Sequence, residues 1–235
     1  MTTLAPSLDA RYALGETIAV GGSATIARAM DARLDRAVAV KRPRTDDRGA
    51  HERIRHEATI LARLAHPSVV ACLDVVEDAR APALVLQLID GPNLVQHAEA
   101  APIDGDIARA WAVEVSRALA HVHARGIVHG DLKPQHIVVA VDGHTVLVDF
   151  DRAHDLARAT PREASGVEAY AAPEVQRGAT TSIASDCYAL GVVLRWLAAH
   201  AEDGDRWVAL IAPLLDVDPA RRPSVAAIAR ALAAH

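Results

Sequence analysis

Asp131 and Lys133 stand two residues apart in the stretch Ile127-Val128-His129-Gly130-Asp131-Leu132-Lys133-Pro134-Gln135-His136-Ile137-Val138-Val139. An acid and a cation on one short polar loop are placed for chemistry rather than for packing. Downstream, Val146-Leu147-Val148 runs into a second carboxylate, Asp149, followed by Phe150 and Asp151. Two carboxylates with a lysine suit phosphate and a divalent metal. Upstream, Val38-Ala39-Val40 ends in Lys41, and Glu57 follows on a separate helical pattern. Each feature taken singly also has an ordinary reading. The aspartates can cap turns, and Lys41 can be a snorkelling surface lysine.

The elements that must hold these groups are legible in outline. Ile127-Val128 and Ile137-Val138-Val139 are β-branched runs that read as buried strand ends, with Pro134 interrupting any helix or ladder between them. Asp131 and Lys133 then lie on a loop fixed at both ends. Tyr12 to Ala29 reads as a hairpin with Gly21-Gly22 at its tip. Arg36 to Lys41 reads as a strand. Glu52 to Leu64 reads as a helix through Ile54, Ala58, Leu61 and Leu64, ended by His66-Pro67. Ser68 to Glu77 and Ala83 to Ile89 are apolar strands. Asp104 to Arg125 is a long helix with Ile107, Trp111, Val115, Ala118, Leu119 and Val122 inward, Asp104 or Asp106 at its start and Gly126 at its end. A polar loop follows Asp151, with Thr160, Pro161, Ser165 and Gly166, and a helix from Val225 to Ala234 packs by Ile228 and Leu232. His121, His123, His129 and His136 complete no recognisable metal-ligand spacing, and hydrogen-bonded histidines are the better reading.

Composition narrows the class. The 235 residues are 51% hydrophobic and 23% charged, which suits one or two compact lobes. A formal net charge of −5 gives no long-range attraction to nucleic acid or to an anionic membrane. Cys72 and Cys187 are far apart and imply neither a disulfide framework nor a zinc ribbon, so the expected compartment is a reducing cytoplasm. Met1 to Arg11 lacks the apolar core of a signal peptide, and Arg195 breaks the longest apolar run, so no membrane insertion is expected. Phe150 is the only phenylalanine, and its place directly after Asp149 points to a dedicated packing role.

His129-Gly130-Asp131-Leu132-Lys133-Pro134-Gln135-His136 resembles the catalytic loop H-R-D-L-x-x-x-N of eukaryotic-type protein kinases, including the bacterial Hanks-type Ser/Thr kinases. Asp149-Phe150-Asp151 resembles their D-F-G. Other family motifs follow in order: Val38-Ala39-Val40-Lys41 for V-A-I-K, Ala172-Pro173-Glu174 for A-P-E, Asp186 to Gly191 for D-x-Y-x-L-G, and Asp218-Pro219-Ala220-Arg221-Arg222-Pro223-Ser224 near the end. The resemblance covers about residues 11 to 234. It implies an α+β, bilobal protein-kinase-like fold. Residues 1–10 would be an N-terminal extension, about 11–87 a small β-rich lobe with one helix, about 87–92 the hinge, and about 93–235 a mainly helical lobe.

The resemblance also implies roles. Asp131 would be the catalytic base, Lys133 would steady the transferring phosphoryl, and Glu57 would orient Lys41 toward the α- and β-phosphates of ATP. Nucleotide would touch Val20, Gly21, Gly22, Ile26, Ala39, Lys41, Leu86 as gatekeeper, and the backbone near Gln87 and Leu88. Asp149 and His136 would meet Mg²⁺, with Mn²⁺ as an alternative. Asp186 would cap the catalytic loop and Arg222 would pair with Glu174. Protein substrates, and a regulatory protein supplying the signal, are the partners implied.

Departures from the pattern bear on activity. Ala19 and Ala24 replace two glycines of the phosphate loop. Gly130 replaces the arginine that reads a phosphorylated activation segment. His136 replaces a metal-binding asparagine and Asp151 the D-F-G glycine, with an expected loss of backbone freedom. Val167 replaces a threonine, and the stretch between Leu197 and Val208 is short. Three functions stand: a protein Ser/Thr kinase; a pseudokinase serving as a nucleotide-binding or scaffolding module; and a small-molecule phosphotransferase, which His129-Gly130-Asp131 suits and Lys133 does not.

Overall fold

The computed structural model describes residues 8–77, 81–158 and 168–235. The chain divides into two compact units, Met1–Ala65 with Val70–Ile89, and His66–Val69 with Asp90–His235. One is built on strands and the other mainly on helices, the α+β class that the sequence implies.

The first unit opens with a short helix, α1 (Leu8–Arg11), and the strands β1 (Tyr12–Val20), β2 (Ala24–Asp31) and β3 (Arg36–Pro43). After α2 (Arg48–Leu61) come β4 (Cys72–Glu77) and β5 (Pro82–Gln87), and all pairings are antiparallel in the order β1-β2-β3-β5-β4. Alternation along β3 divides the work of the two faces. Val38 and Val40 join Leu8, Tyr12, Ala29, Val76, Ala83 and Val85 in one apolar core. Ala39 and Lys41 therefore point to the other face. There Lys41 stands opposite Ile26 and Leu84, and Ala39 opposite Leu86.

Helix α2 begins four residues before the Glu52 expected, because the Asp47 side chain caps it by accepting from the Ala50 N–H, and Ala50 is itself buried. It ends at Leu61, before His66-Pro67. β4 begins at Cys72 rather than Ser68 because Val69 forms a parallel bridge with Leu147 and Ser68 accepts from the Leu147 N–H. The backbone groups of that segment are spent in the second unit, not in the sheet.

The second unit contains α3 (Leu94–Ala100), α4 (Gly105–His123), and the short strands β6 (Ile127–Val128), β7 (Ile137–Val139), β8 (Thr145–Leu147) and β9 (His154–Asp155). The helices α5 (Pro173–Gln176), α6 (Ile183–Ala199), α7 (Val208–Ile211) and α8 (Val225–Ala233) complete it. Asp104 caps α4 by accepting from the N–H groups of Asp106 and Ile107. Ile107 is 49% exposed, against the expectation. The buried stripe runs instead through Ala108, Trp111, Ala112, Val115, Leu119 and Val122, one residue out of phase with Ile107. Gly126, in the left-handed region at φ 67°, turns the chain from α4 into β6, and its N–H reaches the His123 carbonyl. Trp111 donates to the Gly143 carbonyl, tying α4 to the turn that precedes β8.

Candidate active site

In the first unit, Lys41 Nζ lies 2.9 Å from Oε1 and 2.7 Å from Oε2 of Glu57. Both side chains are all but removed from solvent, Glu57 at 1% and Lys41 at 5% exposure. The pair is set by β3, which turns Lys41 away from the apolar core, and by α2, whose buried face carries Glu57. Loss of one partner strands the other charge in the interior, which costs about 3–5 kcal/mol, whereas exchange of both for apolar residues of similar size is often neutral. We therefore expect Lys41→Met to lower stability by that amount in equilibrium urea unfolding. The double variant Lys41→Met, Glu57→Met should recover most of the loss.

Of the residues read as nucleotide contacts, Ile26, Ala39, Lys41 and Leu86 share one sheet face by register. Val20 is exposed at the end of β1, Gly21 and Gly22 form the exposed turn to β2, Gln87 ends β5, and Leu88 follows it. Gly21 donates to the Ala24 carbonyl, and Arg44 donates to the Gly21 carbonyl. Neither glycine has a positive φ, and a Cβ at Gly22 would meet nothing within 4 Å. The turn itself does not require glycine at these positions.

In the second unit the loop from His129 to His136 is fixed at several points. Asp186, from the first turn of α6, accepts from the N–H of His129 at 2.7 Å and of Gly130 at 2.9 Å, and its Oδ2 lies 2.9 Å from His123 Nε2. Burial alone would raise this carboxyl, but the hydrogen bond and charge of His123 and the Gly130 N–H outweigh it and hold it below the usual carboxylate range. His129 is fully buried, and burial holds its imidazole below the ordinary value, in the neutral form. Its Nδ1 accepts from the Asp131 N–H, and its ring lies 4.7 Å from that of Phe150, the packing role expected of the one phenylalanine. Pro134 does not merely interrupt. It starts a 3-10 turn, Pro134–His136, in which its missing N–H costs nothing.

Within this frame Lys133 Nζ donates to Asp131 Oδ2 at 2.8 Å. His136 Nδ1 reaches the Asp131 carbonyl at 2.9 Å, and its Nε2 stands 3.1 Å from Asp149 Oδ2. The structure thus brings Asp131, Lys133, His136 and Asp149 together. Asp149 takes a left-handed backbone at φ 61°, whereas Asp151, in the place of the D-F-G glycine, has no positive φ. Gly130 also reads differently. Its φ is 78°, and a Cβ would come within 3.0 Å of the Arg152 carbonyl, so an arginine side chain here would be strained.

Two participants were missed. Arg152 Nε lies 3.8 Å from Asp131 Oδ2, and His123 Nε2 lies 2.9 Å from Asp186 Oδ2. The only sequence signal for Arg152 is its place beside Asp151, and His123 lies too far from Asp186 along the chain for any local pattern. The stretch read as an activation segment, with Thr160, Pro161, Ser165, Gly166 and Val167, lies outside the described residues, as do residues 1–7 of the N-terminal extension.

At the far end of the site's support, Arg222 makes a bidentate pair with Glu174 at 2.6 and 2.8 Å and also donates to the Ala184 carbonyl. The guanidinium holds the Glu174 carboxyl below its ordinary value of 4.5. Stability from this pair is therefore complete above the ordinary carboxylate range and is lost as pH falls through the lowered value. A thermal-melt series should show a steeper acid-side loss for the parent than for Glu174→Gln.

Among the described residues no three His, Cys, Asp or Glu side chains group into a metal site, so His121, His123, His129 and His136 form no cluster. The donor set at Asp149 fits a divalent ion only in part. Its carboxylate is a hard oxygen donor that suits Mg²⁺, while the imidazole of His136 suits softer ions. No described helix is long and apolar enough to cross a membrane.

Residues 12–203 match the family model of the protein kinase domain. Serine/threonine-protein kinase PknL of Mycobacterium tuberculosis is 35% identical over 227 residues, covering 93% of this chain and 57% of PknL. The probable serine/threonine-protein kinase PknB of Lactococcus lactis is 34% identical over 85% of this chain and 34% of its own length. PknB of Mycolicibacterium smegmatis is 36% identical over 80% and 32%. The chain spans little more than half of PknL and about a third of either PknB. The family model runs from β1 into the helices of the second unit, past Lys41, Asp131 and Asp149 alike. Coverage of that extent shows the family, and the chain belongs to the protein kinases.

Proposed function

We propose that this domain transfers the γ-phosphoryl group of ATP to serine and threonine hydroxyls of protein substrates. The observation that carries the reading is the Asp131–Lys133 pair, a partly accessible carboxylate and ammonium 2.8 Å apart on a loop pinned by a buried aspartate. Asp131 orients the substrate hydroxyl and accepts its proton as the oxygen attacks the γ-phosphorus. Lys133 balances charge on the transferring group, and ADP leaves. Lys41, aligned by Glu57, engages the α- and β-phosphates, and Gly21-Gly22 offers a turn whose backbone N–H groups can approach them. Asp149 supplies the carboxylate for Mg²⁺. Bound there, the ion would offset the charge that develops on the phosphate oxygens.

Lys133 and the resemblance to named Ser/Thr kinases favour protein over a small alcohol as acceptor. A regulatory protein partner and a cytoplasmic site of action belong to the same reading. The test is to supply γ-labelled ATP with a basic protein substrate and, separately, with choline and an aminoglycoside. Label on phosphoserine or phosphothreonine is expected. Label on the small alcohol alone would replace this reading with a small-molecule phosphotransferase. Nucleotide binding with no transfer to any acceptor would replace it with a pseudokinase.

A further inference from the structure

Gly130 and Arg152 face each other across a strand pair. β6 and β9 run antiparallel with Ile127 opposite Asp155 and Val128 opposite His154, and the same register carried two residues further sets Gly130 opposite Arg152. The approach is close, since a Cβ at position 130 would stand 3.0 Å from the Arg152 carbonyl oxygen. The Arg152 backbone is itself fixed. The Ala153 N–H donates to the Phe150 carbonyl, closing a turn around Asp151 and Arg152, and both Phe150 and Ala153 are buried.

From this position the arginine side chain returns to the loop that carries Asp131. Three nitrogens approach the Asp131 carboxylate, and each does so at Oδ2: Lys133 Nζ at 2.8 Å, Arg152 Nε at 3.8 Å and His136 Nδ1 at 3.8 Å. His136 Nδ1 is spent on the Asp131 carbonyl at 2.9 Å, so the lysine and the arginine are the two arms that act on the carboxylate. At 3.8 Å the arginine is an ion-pair partner rather than a direct hydrogen-bond donor. Asp131 is 13% exposed and Arg152 36%, so water screens the pair only in part.

We propose that Arg152 is a positioning residue for the base: together with Lys133 it holds Asp131 Oδ2 and leaves Oδ1 to the acceptor hydroxyl. The cation that Gly130 does not bring to this loop arrives from the opposite strand. The proposal deepens the phosphoryl-transfer reading and rests on it for the reaction itself. Because the arginine acts through Asp131, its loss disturbs the aim of the base and leaves nucleotide binding alone.

The test is steady-state kinetics of Arg152→Gln, Arg152→Lys, Lys133→Met and the double variant Arg152→Gln, Lys133→Met. Arg152→Gln should lower kcat about tenfold, with Lys133 as the remaining arm, and leave the KM for ATP and the thermal melt unchanged. Arg152→Lys, which keeps the charge on a stem of similar reach, should recover most of the loss. Two arms on one oxygen are coupled, so the loss in the double variant should depart from the product of the single losses by at least about twofold. A kcat for Arg152→Gln within about twofold of the parent, single losses that simply multiply, or a loss that lysine does not restore would overturn the proposal. A second readout needs no turnover. The Arg152 Nε–H proton resonance, identified by its absence in Arg152→Gln, should shift when Asp131→Asn removes the facing charge, and an unmoved resonance would also overturn the proposal. A parent that transfers no phosphate while this resonance shifts would strike the phosphoryl-transfer reading and leave the arginine–aspartate pair standing.

Discussion

Asp131→Asn is expected to lower the rate of phosphoryl transfer by about 10²–10⁴-fold, the usual contribution of a positioned general base. The amide keeps the size of the carboxylate and the hydrogen bond from the Asp131 N–H to His129, but it cannot take the hydroxyl proton. Lys133 also loses its charged partner at 2.8 Å, so part of the effect acts through the lysine. The KM for ATP should change little, because Asp131 is not among the groups assigned to the nucleotide. Steady-state kinetics of both proteins check this. A loss of less than about tenfold would remove Asp131 from the role of base.

Asp186→Ala should lower both stability and activity. This carboxylate is buried at 2% exposure and accepts from the His129 and Gly130 N–H groups while facing His123. Truncation leaves two backbone donors and a buried imidazole without their acceptor, at about 1–3 kcal/mol for each unsatisfied group. A loss of about 4 kcal/mol follows, which for a chain of this size lowers the melting temperature by about 10 °C. Asp186→Asn keeps one acceptor oxygen and should fall between parent and alanine variant in a calorimetric melt. Transfer activity should fall with stability, because the same two N–H groups fix the start of the loop that carries Asp131. An alanine variant that melts with the parent would show that the loop is held by something else.

Much of the site was legible because its decisive residues lie on short loops bounded by apolar strands. Asp131, Lys133 and His136 fall between β6 and β7, and Asp149 follows β8 within two residues, so local pattern was enough to place them together. The Lys41–Glu57 pair needed only a strand that ends in lysine and an amphipathic helix. What the pattern could not supply were contacts settled by distant partners. Ser68-Val69 reads as strand by composition, yet its hydrogen bonds go to Leu147. Ile107 fits helical spacing, but the buried face of α4 runs through Ala108 and Trp111. The left-handed backbone at Asp149 has no residue signature, since aspartate is admitted there without requiring it. Gly130 looked like a lost arginine, and only the approach of the Arg152 carbonyl shows why glycine suits the position.

The central claim is that this domain moves phosphate from ATP to protein hydroxyls using Asp131. The most direct test follows both substrates in one reaction by phosphorus NMR, with the parent and Asp131→Asn each incubated with ATP, a serine- and threonine-bearing protein, and either Mg²⁺ or Mn²⁺. The account predicts that the parent converts γ-phosphate into phosphoserine or phosphothreonine in equal amount, and that the variant leaves ATP intact over the same period. Intact ATP in both reactions, with nucleotide bound to folded protein and both ions tried, would contradict it and leave a kinase-shaped binding module.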